Sequence, residues 1–560
     1  MKRLSFIFFI VSFLLNHAVA QNPSWAKKAA NAVFTLKTFS ADGTLLVSTN
    51  GFFVGDQGEA ISSYTPFKSA QRAVVIDAQG KELEVACIIG VNDMYDVAKF
   101  QVNTKKSQVL PVASNTSANG SVAWLLPYTV KKTPVCTKGS ISNAETLNGG
   151  FAYYTLAMST TDQQVGCPVL NEQGEAIGIL QPSANGNKPE SYAMSASFAN
   201  GLRMTGLSLN DPVLRSIKIA KALPDDASEA TLLLFMGSTQ LEAEEYGQLV
   251  DRFIEKFPQI TDGYVYRARL QMVNGNFQAA DDDMKQALKV ADAKDDAHFQ
   301  YAQMIYQKEI YQSDKPFEPW TLDLALQESQ AAYAINPQAI YRQQQAQILY
   351  AQQKYDTAYD VYMELTKNDV MKAESYFAAA QCKTQLGDQS SALALLDSAV
   401  NTFSKPYIKT AAPYLMARAQ ALYEAKKYRP AVNDYNDYAT LMAAQLGANF
   451  YFLREQAEFA GHLYQQALDD INRAVEMEPS ETVYRAEKAN VELRVGMTDE
   501  AIETAKGLIN IAPQESDGYL FLGLAQCVKG QKTEGLQNLN KAKELGHSQA
   551  QSLIDKYSKK

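Results

Sequence analysis

From about residue 229 onward a small residue returns at a nearly fixed interval, and this period constrains the chain more than any other feature. Ala280, Ala325, Ala358, Ala392, Ala431, Ala467, Ala501 and Gly535 are separated by 45, 33, 34, 39, 36, 34 and 34 residues. Seven residues after each stand Ala287, Ala332, Leu365, Ala399, Tyr438, Ala474, Leu508 and Ala542, so the two positions lie two turns apart on one helix face. Half of the markers have an aromatic three residues earlier, at Phe277, Tyr355, Tyr428 and Tyr464. Six have a second small residue twelve positions earlier, at Ala268, Ala346, Ala380, Ala419, Ala489 and Gly523. Pro337, Pro479 and Pro513 follow three markers by twelve residues, where proline ends one helix and opens the next unit. No strand-like alternation interrupts the stretch. The pattern predicts pairs of helices packed closely where their small residues cross.

This combination resembles the tetratricopeptide repeat, a ~34-residue helix pair with small residues at the crossing. The resemblance covers most of residues 229–558, with a degenerate first unit ending at Pro258 and about nine repeats in all. The spacing stretches around Asp314 to Trp320 and Phe403 to Ala412, where loops or lengthened helices are expected. Such arrays expose a groove lined by the first helices and bind peptides or protein surfaces there. The resemblance places Gln343, Gln347, Tyr350, Gln381, Gln420, Tyr423 and Asn490 on or near that groove, a neutral surface of amides and tyrosines. It lacks the Lys, Arg and Asn pattern of members that clamp a C-terminal carboxylate. For each of these residues, a solvated helix position is the open alternative.

Upstream, the chain of 560 residues is long enough for further domains. Lys2 and Arg3, an apolar run from Leu4 to Leu15 and the small residues Ala18-Val19-Ala20 form the three parts of a secretory signal. Cleavage after Ala20 would leave a mature chain in the periplasm or outside the cell. The run falls short of the roughly 20 apolar residues that span a bilayer, a short N-terminal anchor being the alternative. No cysteine near the cleavage site indicates a lipid anchor, and no later segment is apolar enough to span a membrane. The net charge of −9 is spread without a basic block, so neither nucleic acid nor anionic lipid is an expected partner. Cys87, Cys136, Cys167, Cys382 and Cys527 lack metal-ligand spacing, and no metal or cofactor is expected. In an oxidising compartment Cys136 with Cys167 is the favoured disulfide, with buried free thiols the alternative.

Residues 31–200 read as short apolar strands, Val33 to Phe39, Leu45 to Val54, Val74 to Ile76, Leu83 to Ile89, Val97 to Val102, Val122 to Leu126 and Ala176 to Leu180. Asp42-Gly43, Gln79-Gly80, Asn148-Gly149 and Gln173-Gly174 punctuate them as turns, and an all-β barrel or sandwich follows. Three strings go further: Gly51-Phe52-Phe53-Val54 with Ala60-Ile61-Ser62-Ser63-Tyr64-Thr65; Asp96-Val97-Ala98-Lys99-Phe100; and Val165-Gly166-Cys167-Pro168-Val169-Leu170-Asn171 continuing Gly174 to Ile179. In order and spacing they resemble the trypsin-fold proteases of the HtrA and Deg kind, over residues 24–205. The implied fold class is multidomain: an all-β, double-barrel trypsin-like domain, a connector over 206–228 and an all-α repeat solenoid over 229–558. The apolar Val213, Leu214, Ile217 and Ile219 suggest a packed connector or short helix.

Acyl transfer on such a fold needs a nucleophile, a base that takes its proton and a group that orients the base. The resemblance puts the orienting carboxylate on Asp96, the base position on Thr65, the nucleophile position on Val165, and the glycine of the oxyanion hole on Gln163. Thr65 cannot accept a proton at neutral pH and Val165 has no nucleophilic atom. The chain's histidines are His17, His298, His462 and His547, leaving none between residues 22 and 297. Cys167 lies two residues past the nucleophile position and has no base, so a packed or bonded cysteine is expected. The reading is an interaction scaffold without enzymatic activity, holding a protein or peptide partner. A divergent serine-type endopeptidase of the periplasm and a structural component of an envelope complex are the alternatives.

Overall fold

The computed structural model describes residues 22–182 and 189–559, so the expected signal over residues 1–20 lies outside the described residues. These residues fall into two compact units that divide between Asp292 and Ala293.

After a short helix, Ala26–Ala29, the first unit has twelve strands: β1 (Val33–Phe39), β2 (Leu45–Phe53), β3 (Glu59–Ser62), β4 (Arg72–Ile76), β5 (Glu82–Asn92), β6 (Val97–Val102), β7 (Val122–Leu125), β8 (Thr137–Thr146), β9 (Ala152–Leu156), β10 (Pro168–Leu170), β11 (Ala176–Leu180) and β12 (Ser191–Ser195). They close two six-stranded antiparallel barrels, ordered β1-β2-β3-β6-β5-β4 and β7-β8-β9-β12-β11-β10, so both halves repeat one topology. Closure removes the exposed strand edges that invite aggregation. Phe34, Leu36, Phe53, Phe67 and Phe100 fill the first barrel, while Leu125, Tyr154, Leu156, Val169 and Leu180 fill the second.

The connector is packed, as its apolar content suggests. A short helix, Pro212–Ser216, is capped by the Asp211 side chain, and Leu214, Ile217 and Ile219 are buried. Its backbone pairs with the β5 bulge through Ile88 N–H to Ala220 O and Ala222 N–H to Ile88 O, both 2.7 Å. The buried Lys221 ammonium donates to Ile217 O and to Glu245 Oε1. The apolar cluster of the first barrel runs on through Leu209, Leu214 and Ile217 to Leu233, Leu249 and Phe253, on helices Ala227–Gln240 and Ala243–Lys256. Two more helices, Thr261–Val273 and Phe277–Val290, complete this unit.

The second unit is all helix, built from successive helices that pack on their sequence neighbours. Every periodic small residue from Ala280 to Gly535 is buried. One close crossing joins Ser516–Lys529 to Lys532–Glu544, where a Cβ on Gly523 would come within 2.7 Å of Gly535 O and one on Gly535 within 2.8 Å of Gly523 O. The stretched spacings resolve into an 18-residue helix, Lys294–Tyr311, followed by a loop that buries Trp320 against Tyr301 and Phe317. The second is a loop after Val400 that ends in the short turn Lys409–Ala411.

One polar device recurs in both units. Arg267, Arg418 and Arg454, on first helices of pairs, each grip an aspartate sixteen residues later with two hydrogen bonds of 2.6–2.9 Å, to Asp283, Asp434 and Asp470. The third nitrogen of each reaches the preceding pair, at Asp251, Asp397 and Asn436. Bidentate geometry fixes both partners, and a lone buried carboxylate is costly. Replacing Arg454 by Ala strands the buried Asp470 and is expected to cost about 3 kcal/mol. The same change in Asp470→Asn, which keeps an acceptor, is expected to cost less; thermal and urea unfolding of the full chain compare the two.

Candidate functional site

Thr65 begins a short turn, Thr65–Phe67, just beyond β3, and Asp96 is the last residue before β6. Strand pairing of β3 with β6 brings them together. The Thr65 backbone N–H and hydroxyl both donate to Asp96 Oδ1, at 2.6 and 2.8 Å, and Tyr64 N–H donates to Asp96 O at 3.3 Å. Asp96 has φ +49°, a left-handed conformation that aspartate tolerates better than most side chains. Burial holds its carboxyl above the usual carboxylate range, against the pull of the Thr65 hydrogen bonds. Orienting an imidazolium requires an ionised carboxylate, and this environment pushes the other way.

The nucleophile position lies on a tight corner of the second barrel. Thr161-Asp162-Gln163-Gln164 forms a capping box: Thr161 N–H donates to Gln164 Oε1 at 2.9 Å, and the Thr161 side chain accepts from the Gln164 backbone. The box winds Asp162–Gln164 into one 3-10 turn, in which the Val165 N–H donates to Asp162 O at 3.3 Å. An oxyanion hole uses the N–H at this position as a free donor aimed at substrate; here the turn's own carbonyl takes it. The Val165 carbonyl faces β2 and accepts from the Asn50 N–H at 3.2 Å, the Asn50 side chain at 3.0 Å and the Thr49 hydroxyl at 3.0 Å. The Asn50 amide also donates to Gln163 O at 2.7 Å. Ser62 at the end of β3 donates to Asn50 O, so the Val165 carbonyl of the second barrel is tied through Asn50 to two strands of the first. Asn50 and the capping box were missed in the sequence reading, although the Thr-x-x-Gln spacing is legible there.

Cys136 and Cys167 are not paired. Both are free, buried thiols, and they belong to different apolar clusters, with Trp124 and Leu126 around the first and Leu125 and Val169 around the second. Burial raises the Cys136 thiol to about 11 and the Cys167 thiol to about 12, which removes the thiolate a nucleophile needs. His298 Nδ1 lies 2.6 Å from Glu328 within the second unit. No cluster of three or more metal-ligating side chains occurs among the described residues. A cleft of about 980 Å³ in the first unit lies by Cys87, Lys99, Arg203 and Arg252, and its lining includes none of Thr65, Asp96 or Val165.

The residues assigned to the groove lie on four first helices, Ala339–Ala351, Lys372–Gln385, Ala412–Glu424 and Thr482–Val495. Gln347, Gln381 and Gln420 are exposed. Gln343 is buried and donates to Glu374 at 2.7 Å, Asn490 donates to Glu487 at 2.9 Å, and Tyr350 and Tyr423 pack edge-on or tilted against Tyr355 and Tyr428. A fully solvated row would leave all seven exposed; four are held in place by neighbours.

Two outcomes test this geometry. A carboxyl whose folded pKa exceeds its unfolded one stabilises the fold only while protonated, and this contribution is lost as pH rises from about 4 through the folded value. Asp96→Asn is therefore expected to raise the melting temperature at pH 7, with the gain closing below about pH 4; a constant offset across a pH series excludes the assignment. A Cβ on Gly166, at φ +79°, would lie 2.1 Å from Asn50 O. Gly166→Ala is expected to cost more than about 2 kcal/mol through backbone strain and this clash, read by urea unfolding.

Residues 49–179 match the family model described as trypsin-like peptidase domain. Among solved structures, a serine endoprotease from Yersinia pestis is 19% identical, with a TM-score of 0.28, over 35% of this chain and 68% of that one. The active form of a protease from M. tuberculosis is 16% identical, with a TM-score of 0.28, over 35% of this chain and 84% of that one. No curated protein matches the chain. The chain carries a trypsin-like peptidase domain formed by two closed six-stranded barrels, followed by an all-helical region.

Proposed function

We propose that the protein is an exported interaction scaffold, in which the trypsin-like domain is catalytically inactive and the helical array is a tetratricopeptide-type surface for a protein or peptide partner. The observation that carries the reading is the pairing of Thr65 with Asp96, where a base should stand, beside a corner whose nucleophile position is Val165. Without a proton acceptor and a nucleophilic atom, the fold retains at most the capacity to hold a polypeptide. The regular burial of small residues at helix crossings supports the repeat reading, and the basic, apolar and small-residue segments before Gln21 support export to the periplasm or beyond. A role as a stationary part of an envelope complex differs only in the lifetime of the partner's attachment.

The match of residues 49–179 to a peptidase family favours one competing reading, a divergent serine-type endopeptidase. The mature chain from Gln21 is treated with a fluorophosphonate probe and, separately, with casein, alongside Thr65→Ala and Cys167→Ala variants. No labelling and no cleavage are expected. Labelling or proteolysis that a point variant abolishes would establish an enzyme instead.

A further inference from the structure

Asparagine is followed by glycine at Asn50, Asn119, Asn148, Asn185, Asn200 and Asn274, and the pair at Asn185 lies outside the described residues. Such a pair has a chemistry of its own. The glycine backbone nitrogen, once it loses its proton, can attack the asparagine side-chain carbonyl, because no Cβ on the glycine obstructs the approach. In a folded chain the reaction depends on how freely the peptide between the two residues turns.

Four of the five described pairs are held. Gly51 lies in β2 between β1 and β3, and the Asn50 amide donates to Gln163 O and Val165 O. Gly120 N–H donates to Ile141 O at 2.8 Å, and Gly275 N–H to Met272 O at 3.0 Å. Asn200 and Gly201 belong to the 3-10 helix Ala196–Gly201.

Asn148 differs. It is the second residue of the turn between β8 and β9, which Gly150 N–H closes on Leu147 O at 3.1 Å, and Leu147 N–H donates to Phe151 O at 2.7 Å around it. Gly149, at φ +88°, supplies the left-handed third residue that a type II turn requires. Asn148 is exposed, and neither its side chain, its carbonyl nor the Gly149 N–H has a hydrogen bond to a described residue. The peptide at the centre of the turn is bonded at neither end, with a second glycine, Gly150 at φ +80°, directly after it. It can rotate to bring the Gly149 nitrogen onto Asn148 Cγ without giving up a hydrogen bond of its own.

We propose that Asn148 is a site of spontaneous covalent modification, converting in the folded chain ahead of the other described Asn-Gly pairs. The Gly149 nitrogen gives its proton to solvent base and bonds to Asn148 Cγ; the side-chain nitrogen leaves as ammonia and a succinimide closes. Water then adds to one of the two ring carbonyls. Breaking the new N–Cγ bond leaves aspartate, whereas breaking the original C–N bond leaves isoaspartate, with the main chain running through the former side chain. Either product adds a negative charge. Isoaspartate also lengthens the main chain by one carbon between Leu147 and Phe151, so the two hydrogen bonds of the turn lose their register. The turn borders a depression of about 550 Å³ lined by hydroxyl and amide residues, Phe151 and glycines, none of them charged. Conversion sets a carboxylate beside this neutral wall.

The mature chain from Gln21 is held at 37 °C and pH 8 for three weeks, folded and, in parallel, in 6 M guanidinium chloride. Samples are followed by peptide mapping, in which fragment ions separate position 148 from Asn185. In the folded chain position 148 is expected to gain about 1 Da, with isoaspartate in excess over aspartate, at least fivefold faster than Asn119, Asn200 and Asn274. In guanidinium chloride the four rates are expected to agree within twofold. Conversion at position 148 no faster than at the other three in the folded chain overturns the proposal. A preference of the same size in guanidinium chloride also overturns it, because the flanking sequence and not the turn would then set the rate.

Discussion

The carbonyl of Val165, held by three donors from Thr49 and Asn50, fixes the corner on which this trypsin-like domain depends. It ties the second barrel to a strand of the first. It also forces the following residue into the left-handed region with its α-carbon against Asn50 O, which leaves no room for a side chain at Gly166. The shape of the corner is thus set by backbone groups, the Val165 carbonyl and the Gly166 α-carbon. The Val165 side chain takes no part in these bonds, and the neighbouring Thr161–Gln164 box engages the Val165 N–H through Asp162 O.

The helical region has a comparable division of labour. Small residues set how near the helices approach, as the facing Gly523 and Gly535 illustrate. The arginine clamps set how one pair is aligned with the next, because each guanidinium holds its own aspartate with two nitrogens and the preceding pair with the third. Dispersion between methyl groups tolerates sliding and a planar fork does not.

The period of small residues was enough to locate every helix pair from Ala280 to Gly535, because close crossing leaves a compositional mark at a fixed spacing. β1 and β6 were legible to the residue, since both alternate buried with half-buried side chains. β8 was not: Thr137–Thr146 has a single fully buried position, Ile141, and its pairing is decided by β7 and β9 on either side. β10 and β12 were not read as strands either, at three and five residues, whereas β11, also of five residues, buries every one of them in a continuous apolar run. At the site, Asp96 and Thr65 were found from strings of sequence, whereas Asn50 reaches Val165 across 115 residues by tertiary contact with no local signature. Of the two thiol readings left open, a disulfide or buried free thiols, the structure has the free thiols, and spacing along the chain carries no information about which of the two clusters a buried cysteine joins.

The apolar cluster that begins at Phe34 does not end with the barrels; it closes on Leu233, Leu249 and Phe253. During synthesis, the first barrel emerges early but the helices that cover it emerge only after the whole second barrel. Until then its apolar flank faces water, and nascent chains in this condition attract chaperones and one another. The order of translation thus sets an obligatory waiting period for the oldest part of the molecule, and the smallest segment able to end that wait extends past the trypsin-like match by some seventy residues.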